Sequence, residues 1–300
     1  MVNKMIKIYN RRTKIYEIEK VANKGWLNSL YGTSKGRFWL ELLIKRKICS
    51  FLYGKLYNSR ISARRIAGFI KQYDIDMSEC VNEVNDFKSF NDFFIRKLKP
   101  EARKFETKTN LLLSPGDGRM RAWNDIDIKS MVQIKGFSYT LDGLLSDKEL
   151  AQKYDGGICI VLRLAPVDYH RFYFVDSGIC SSSWPIKGFY HSVNPKALNT
   201  IPELFCRNRR EVSLLRSDNF KDITYAEVGS SLVGSIVQTY KPETEVARGG
   251  EKGYFQFGGP TVILFLEKDT AAVDEDILLQ TEIGYEVKVL AGEVIGRAKK

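Results

Sequence analysis

Three hundred residues with 44% hydrophobic content can bury a sizeable core, and they argue for one large domain or two of moderate size. Cys49, Cys80, Cys159, Cys180 and Cys206 are odd in number, widely spaced and lack a CxxC pair, and His170 and His191 are the only histidines; this argues against a disulfide framework and excludes a histidine-rich metal centre. The net charge of +11 favours an anionic partner, nucleic acid or a membrane surface, with plain solubility as the competing explanation.

Near the N-terminus, KMIKIY and TKIYEIE alternate apolar and polar residues around Asn10-Arg11-Arg12, which predicts a β-hairpin. Lys4 and Lys7 lead into this alternation and not into an apolar stretch with a small-residue cleavage site, so no secretory signal is expected and the default compartment is the cytoplasm. From Phe38 to Tyr73 the period changes. Leu40, Leu43, Ile44, Ile48, Phe51 and Leu52 recur at helical spacing, and Lys45, Arg46, Lys47, Lys55, Arg60, Arg64 and Arg65 crowd among them. The apolar run here is far shorter than the roughly 18 residues of a spanning helix. Two readings stay open: basic amphipathic helices lying on anionic lipid, and an ordinary helical layer with a solvated basic face. Nucleic acid is set aside, because no RNP, KH or zinc-finger signature accompanies the basic residues.

Beyond about Lys108 the chain becomes strand-rich. LLLSPGDG, GICIVLRL, FYFV, ITYAEV, SLVGSIVQTY, FGGPTVILFL and VKVLAGEVIG are short β runs punctuated by Gly, Pro, Asp and Asn, and ETEVARGGEKG between two of them predicts an exposed hairpin loop. Within YFQFGGPTVILF, the Gly258-Gly259-Pro260-Thr261 step interrupts a strand pattern. Proline removes a backbone donor and paired glycines mark a tight bend or a close approach of other atoms, so this step calls for a specific explanation.

FKSFNDFFIRKLKPEAR, from Phe87 to Arg103, resembles the signature that precedes the catalytic domain in the phosphatidylserine decarboxylase family. The resemblance continues in order through LLSPGDG, IKGFSYTLDGLL, LRLAPVDYHR, KGFYHSVNP, EVGSSLVGSIVQTY and KGYFQFGG, as far as Glu267, and is to the bacterial form whose processing site reads Gly-Gly-Ser-Thr, as in clostridia. It implies an α+β fold: a hairpin and helical, membrane-facing part over 1–105 and a β-rich decarboxylase-like domain over 106–300, with VKVLAGEVIG closing the sheet. It also implies phosphatidylserine as substrate, a peripheral position on the cytoplasmic side of the cell membrane, and a homodimer.

The resemblance further implies a self-made cofactor and no metal. In the family a serine hydroxyl attacks the carbonyl of the preceding glycine, the amide becomes an ester, and elimination splits the chain and leaves a pyruvoyl group. That group then forms a Schiff base with the lipid amine and draws electrons from the carbanion left by carbon dioxide. An Asp and a His activate the serine in the manner of a triad. By resemblance, Asp117 of Ser114-Pro115-Gly116-Asp117-Gly118 is the triad aspartate, although Pro-Gly-Asp-Gly alone reads as a turn whose Asp bonds its own backbone. His170 of Asp168-Tyr169-His170-Arg171 matches the histidine expected near the substrate, handling the proton that replaces the carboxylate.

Two positions depart from the family pattern. The triad histidine belongs three residues after His170, where Tyr173 stands; a phenol with an unperturbed pKa near 10 is a poor base at neutral pH. The pyruvoyl-forming serine belongs after Gly259, where Pro260 stands without a hydroxyl. The pyruvoyl group is therefore not expected to form. Thr261 would have to attack one residue out of place, and near-attack geometry does not tolerate such a shift. Ser230, Ser231 and Ser235 lie in VGSSLVGS, which lacks the spacing of a nucleophile elbow and reads as turn and strand. The expectation is an unprocessed decarboxylase-family proenzyme, with a non-catalytic phosphatidylserine- or anionic-membrane-binding protein, or the partner of an active paralogue, as the alternative.

Overall fold

The computed structural model describes residues 6–19, 54–134, 137–230, 236–256 and 258–299. The predicted hairpin forms: Lys7–Asn10 and Ile15–Ile18 pair antiparallel across a four-residue turn. Lys7–Asn10 also pairs in parallel with Glu286–Val289, so the N-terminus extends a sheet whose other strands all come from residue 118 onward.

That eleven-stranded sheet runs Thr244–Val246, Gly178–Cys180, Arg210–Ser217, Asp222–Val228, Thr261–Leu266, Ile158–Arg163, Gly118–Asn124, Glu286–Val289, Lys7–Asn10 and Ile15–Ile18, with Trp184–Ile186 pairing alongside Arg210–Ser217. Its two middle strands, ICIVLR and TVILFL, are buried at every position. Successive side chains of a strand point to opposite faces, and here each face has its own core. Cys159, Val161, Ile263 and Phe265 pack with Leu141, Leu144, Tyr154 and Phe205 on one side. Ile158, Ile160, Leu162, Val262, Leu264 and Leu266 pack with Phe172, Phe174, Phe255 and Ile277 on the other. The result is the expected β-rich α+β architecture.

VKVLAGEVIG does not close the main sheet. Its first half lies inside that sheet, between Gly118–Asn124 and the N-terminal hairpin, and its second half pairs with Leu111–Leu113 and Ala271–Val273 in a separate three-stranded sheet. The exposed loop expected over ETEVARGGEKG is likewise corrected. Thr244–Val246 joins the main sheet, Glu251–Phe255 joins Ile236–Gln238 and Arg171–Tyr173 in a small sheet, and Lys252 is fully buried. Its ammonium lies 2.8 Å from Glu227 and 2.9 Å from Gln238 Oε1, ringed by Phe172, Phe174, Tyr225 and Tyr240 at 4.9 to 6.0 Å. A carboxylate and aromatic faces together make a buried cation tolerable, and local charge patterning does not foretell this.

Of the predicted basic helical run, residues 38–53 lie outside the described residues. The remainder of the run is helical: residues 54–57, a 3-10 turn over Arg60–Arg65, and the α-helix Ile66–Tyr73. These pack on the short helix Phe90–Phe94, capped by Ser89, through a third core of Tyr57, Ile66, Phe87, Phe90, Phe93 and Phe94. Among the described residues no helix is long and apolar enough to cross a membrane.

Candidate active site

The Pro115–Gly118 turn and the strand Arg171–Tyr173 meet through a bond from the Tyr173 N–H to the Pro115 carbonyl, 2.8 Å. His170, one residue earlier, reaches the Gly258 carbonyl, and the Leu164 N–H donates to the Pro260 carbonyl at 2.9 Å. Thus the Asp117 turn, the His170–Tyr173 segment and the Gly258–Pro260 bend lie in one corner, above the ends of the two middle strands. Gly258 has a φ of 147°, a conformation open to glycine, and a Cβ on Gly259 would stand 3.3 Å from the Leu164 carbonyl oxygen. The glycines therefore permit the bend and its close packing.

Asp117 is buried and does not bond its own backbone. Its carboxylate accepts from Arg103 Nε (2.9 Å), from Arg103 Nη2, and from the Ala291 N–H (2.9 Å). Arg103 also reaches Glu79 at 3.1 Å. Burial by itself would lower the Arg103 pKa, but the bond and charge of Asp117, then those of Glu79, outweigh it and hold the guanidinium above its ordinary value.

Tyr173 points elsewhere. Its hydroxyl shares a 3.0 Å hydrogen bond with Tyr169, and its ring lies 5.0 Å from that of Phe105. Burial first, then the neighbouring Tyr169, pushes the phenol well above the ordinary tyrosine value. At neutral pH it keeps its proton.

His170 is fully enclosed, with the Phe94 ring 3.9 Å away. Nδ1 lies 2.9 Å from the Asp168 carbonyl and Nε2 lies 3.0 Å from that of Gly258. Both partners are acceptors, while a neutral imidazole has one N–H, so one ring nitrogen turns its lone pair toward an oxygen. Burial, reinforced by the charges of Arg96 and Arg119 and only partly offset by the two carbonyls, pushes the imidazole down to about 3. The ring is neutral throughout the physiological range. Asp168 itself is bonded to Arg119 and to the Ala165 N–H.

Pro260 is buried, and Thr261 beside it is fully buried with a hydroxyl that has no hydrogen-bond partner among the described residues. Ser230 is also buried, its Oγ accepting from the Val193 N–H at 3.3 Å; Ser231 and Ser235 lie outside the described residues. No cluster of three or more metal-ligating side chains occurs among the described residues. The pattern of residues did not single out Arg103, Phe94 or Arg96, which complete the corner. All three fall in the Phe87–Arg103 segment, but nothing in its spacing says which of its side chains turn inward.

Comparison with known proteins converges on one family. A family profile described as phosphatidylserine decarboxylase matches residues 90–297. The chain is 55% identical over 292 residues to a phosphatidylserine decarboxylase proenzyme of Ruminiclostridium cellulolyticum, covering 97% of each chain. Proenzymes with the same description from Clostridium perfringens and Clostridium novyi are 53% and 52% identical, each across 97% of this chain and 99% of the relative.

Proposed function

The chain belongs to the phosphatidylserine decarboxylase family, and on that premise we propose that it persists as a one-chain proenzyme that does not cut itself. The observation that carries this reading is Pro260 directly after Gly259. The pyruvoyl group does not fit the residues present, because position 260 has no hydroxyl to add to the Gly259 carbonyl and then to eliminate. Two further features support the reading. The Tyr173 phenol, protonated and turned to Tyr169, offers no general base, and Asp117 is engaged by Arg103. Thr261 is a poor substitute nucleophile, since its buried hydroxyl has no hydrogen-bonded group to take its proton.

The test is the intact mass of the purified chain. One species of 34.4 kDa and no release of carbon dioxide from phosphatidylserine are expected; a break between Gly259 and Pro260 overturns the reading. Pro260→Ser alone is expected to process slowly or not at all, and Pro260→Ser with Tyr173→His to process to completion. Rapid processing by the single variant would remove Tyr173 from the account.

A second reading, a non-catalytic binder of the phosphatidylserine headgroup, is favoured by the retained Asp168–Arg171 segment in its buried corner and by the net charge of +11. Flotation with phosphatidylserine vesicles tests it, and equal flotation with phosphatidylglycerol reduces it to charge attraction that salt weakens. The membrane-facing side in this proposal is the helical part: Leu56 and Ile61 are 50% and 71% exposed, among exposed Lys55, Arg60 and Arg64. A boundary near residue 105, peripheral attachment on the cytoplasmic side and a homodimer belong to the same proposal, the last to be measured by sedimentation.

A further inference from the structure

Five arginines are buried in the described residues: Arg96, Arg119, Arg163, Arg171 and Arg210. Four have their guanidinium charge answered. Arg119 is held by Glu19 and Asp168, Arg163 by Glu19 and Glu286, and Arg171 by Glu251. Arg210 has no carboxylate but donates to the carbonyls of Gly143, Leu144, Cys206 and Asn208. Arg96 differs from all of them. It is 7% exposed, its Nε is enclosed without a hydrogen-bond partner, and it has no ion pair among the described residues; the Cys80 sulfur is the side chain that it reaches, an uncharged and weak acceptor. The nearby carbonyls of Ile95 and Arg96 accept from Arg171.

The surroundings of Arg96 locate it. Its Cζ lies 4.9 Å from the Phe93 ring centroid, which fixes the side chain against the aromatic core. Phe94, next along the helix, touches the His170 ring, and the Arg96 charge is near enough to disfavour protonation of that imidazole. A buried cation left without a counter-charge is costly, and a guanidinium presents a planar fork matched to carboxylate and phosphate oxygens. The missing partner is an anion.

We propose that Arg96 is an anion-binding residue of the His170 corner, taking an oxyanion of the ligand that enters there, whether carboxylate or phosphate. This rests on the reading of the corner as a headgroup site. It assigns Arg96 a binding role, with His170 as its uncharged neighbour, so that the anionic group faces one cation and no competing carboxylate ion-paired to it.

The experiment uses the full chain and three soluble probes in calorimetric titration: glycerophosphoserine, which carries both anions, glycerophosphoethanolamine, which carries phosphate alone, and L-serine, which carries carboxylate alone. The unaltered chain is expected to bind glycerophosphoserine, and Arg96→Gln to weaken it by about tenfold or more, with Arg96→Lys intermediate because it keeps charge without the fork. A parallel loss for glycerophosphoethanolamine assigns the phosphate to Arg96; a loss confined to the serine-containing probes assigns the carboxylate. A second measurement needs no variant: phenylglyoxal modification of the unaltered chain, mapped by mass spectrometry, is expected to reach Arg96 and to be blocked by glycerophosphoserine. Undiminished binding by a folded Arg96→Gln, or modification of Arg96 that the probe does not slow, overturns the inference. Failure of the unaltered chain to bind any probe also overturns it, and leaves the one-chain proenzyme reading to be judged separately by intact mass.

Discussion

Arg119 and Arg163 sit on neighbouring strands of the main sheet and share Glu19 between them, with Asp168 and Glu286 completing their charge, whereas His170 beside the Gly258–Pro260 bend and Arg96, two residues past the Phe94 that touches it, have no carboxylate bonded to either. Both places are equally buried. In the first, the carboxylates answer both arginines, and in doing so tie the N-terminal segment, through Glu19, to strands a hundred or more residues away. In the second, a cation is enclosed without a counter-charge, and an imidazole is held neutral between two carbonyls. Paired charges of the first kind hold a fold together; unpaired ones of the second kind make sense when something else is to be bound.

The sharpest way to break the contrast is to remove the carboxylate that the two paired arginines share. Glu19→Gln leaves Arg119 and Arg163 with one carboxylate each, and a loss of about 4 kcal/mol in urea unfolding is expected. A loss near zero would mean that the N-terminal segment contributes packing and not charge.

On the unpaired side the expected effect is a pH dependence. The folded pKa of His170 is near 3, below that of an unfolded histidine, so unfolding takes up a proton. This contribution is fully present above about pH 6.5 and is lost as pH falls toward 3. Between pH 7 and pH 4 the chain is expected to lose about 3 kcal/mol more than His170→Gln does, read as the difference between two series of urea midpoints. Parallel series would show that the imidazole is already accommodated in its charged form.

The smallest effect concerns Thr261, whose enclosed hydroxyl is the uncharged counterpart of Arg96. Thr261→Val keeps the shape and removes the unpartnered oxygen, so a gain of about 1 kcal/mol is expected by thermal or urea unfolding. A loss of similar size would reveal a partner for that oxygen and would revive it as a nucleophile.

Much of the fold is legible in the chain. The period-2 alternation of KMIKIY and TKIYEIE announces the hairpin, and the runs ICIVLR and TVILFL announce strands, whose burial on both faces the fold then reveals. The family segments bring Asp117, His170, Tyr173 and Pro260 into one account without reference to their positions in space. The parts that mislead share a cause. Glu19 reads as an ordinary polar residue at the end of an alternating strand, and Lys252 as a charge in a loop, yet both are buried, because their partners arrive from strands distant in sequence.

The sequence by itself determined which residue types stand where chemistry would occur: a proline after Gly259 and a tyrosine three residues past His170, because covalent structure alone decides whether a hydroxyl or an imidazole exists. Only the tertiary structure decided which charges meet. That Arg103 rather than another residue engages Asp117, that carbonyls bracket His170, and that Arg96 stands without a counter-charge depend on contacts between segments that no local period records. Electrostatic energies in a buried site change steeply over a few ångströms, so the same residues acquire their roles only when the fold sets the distances.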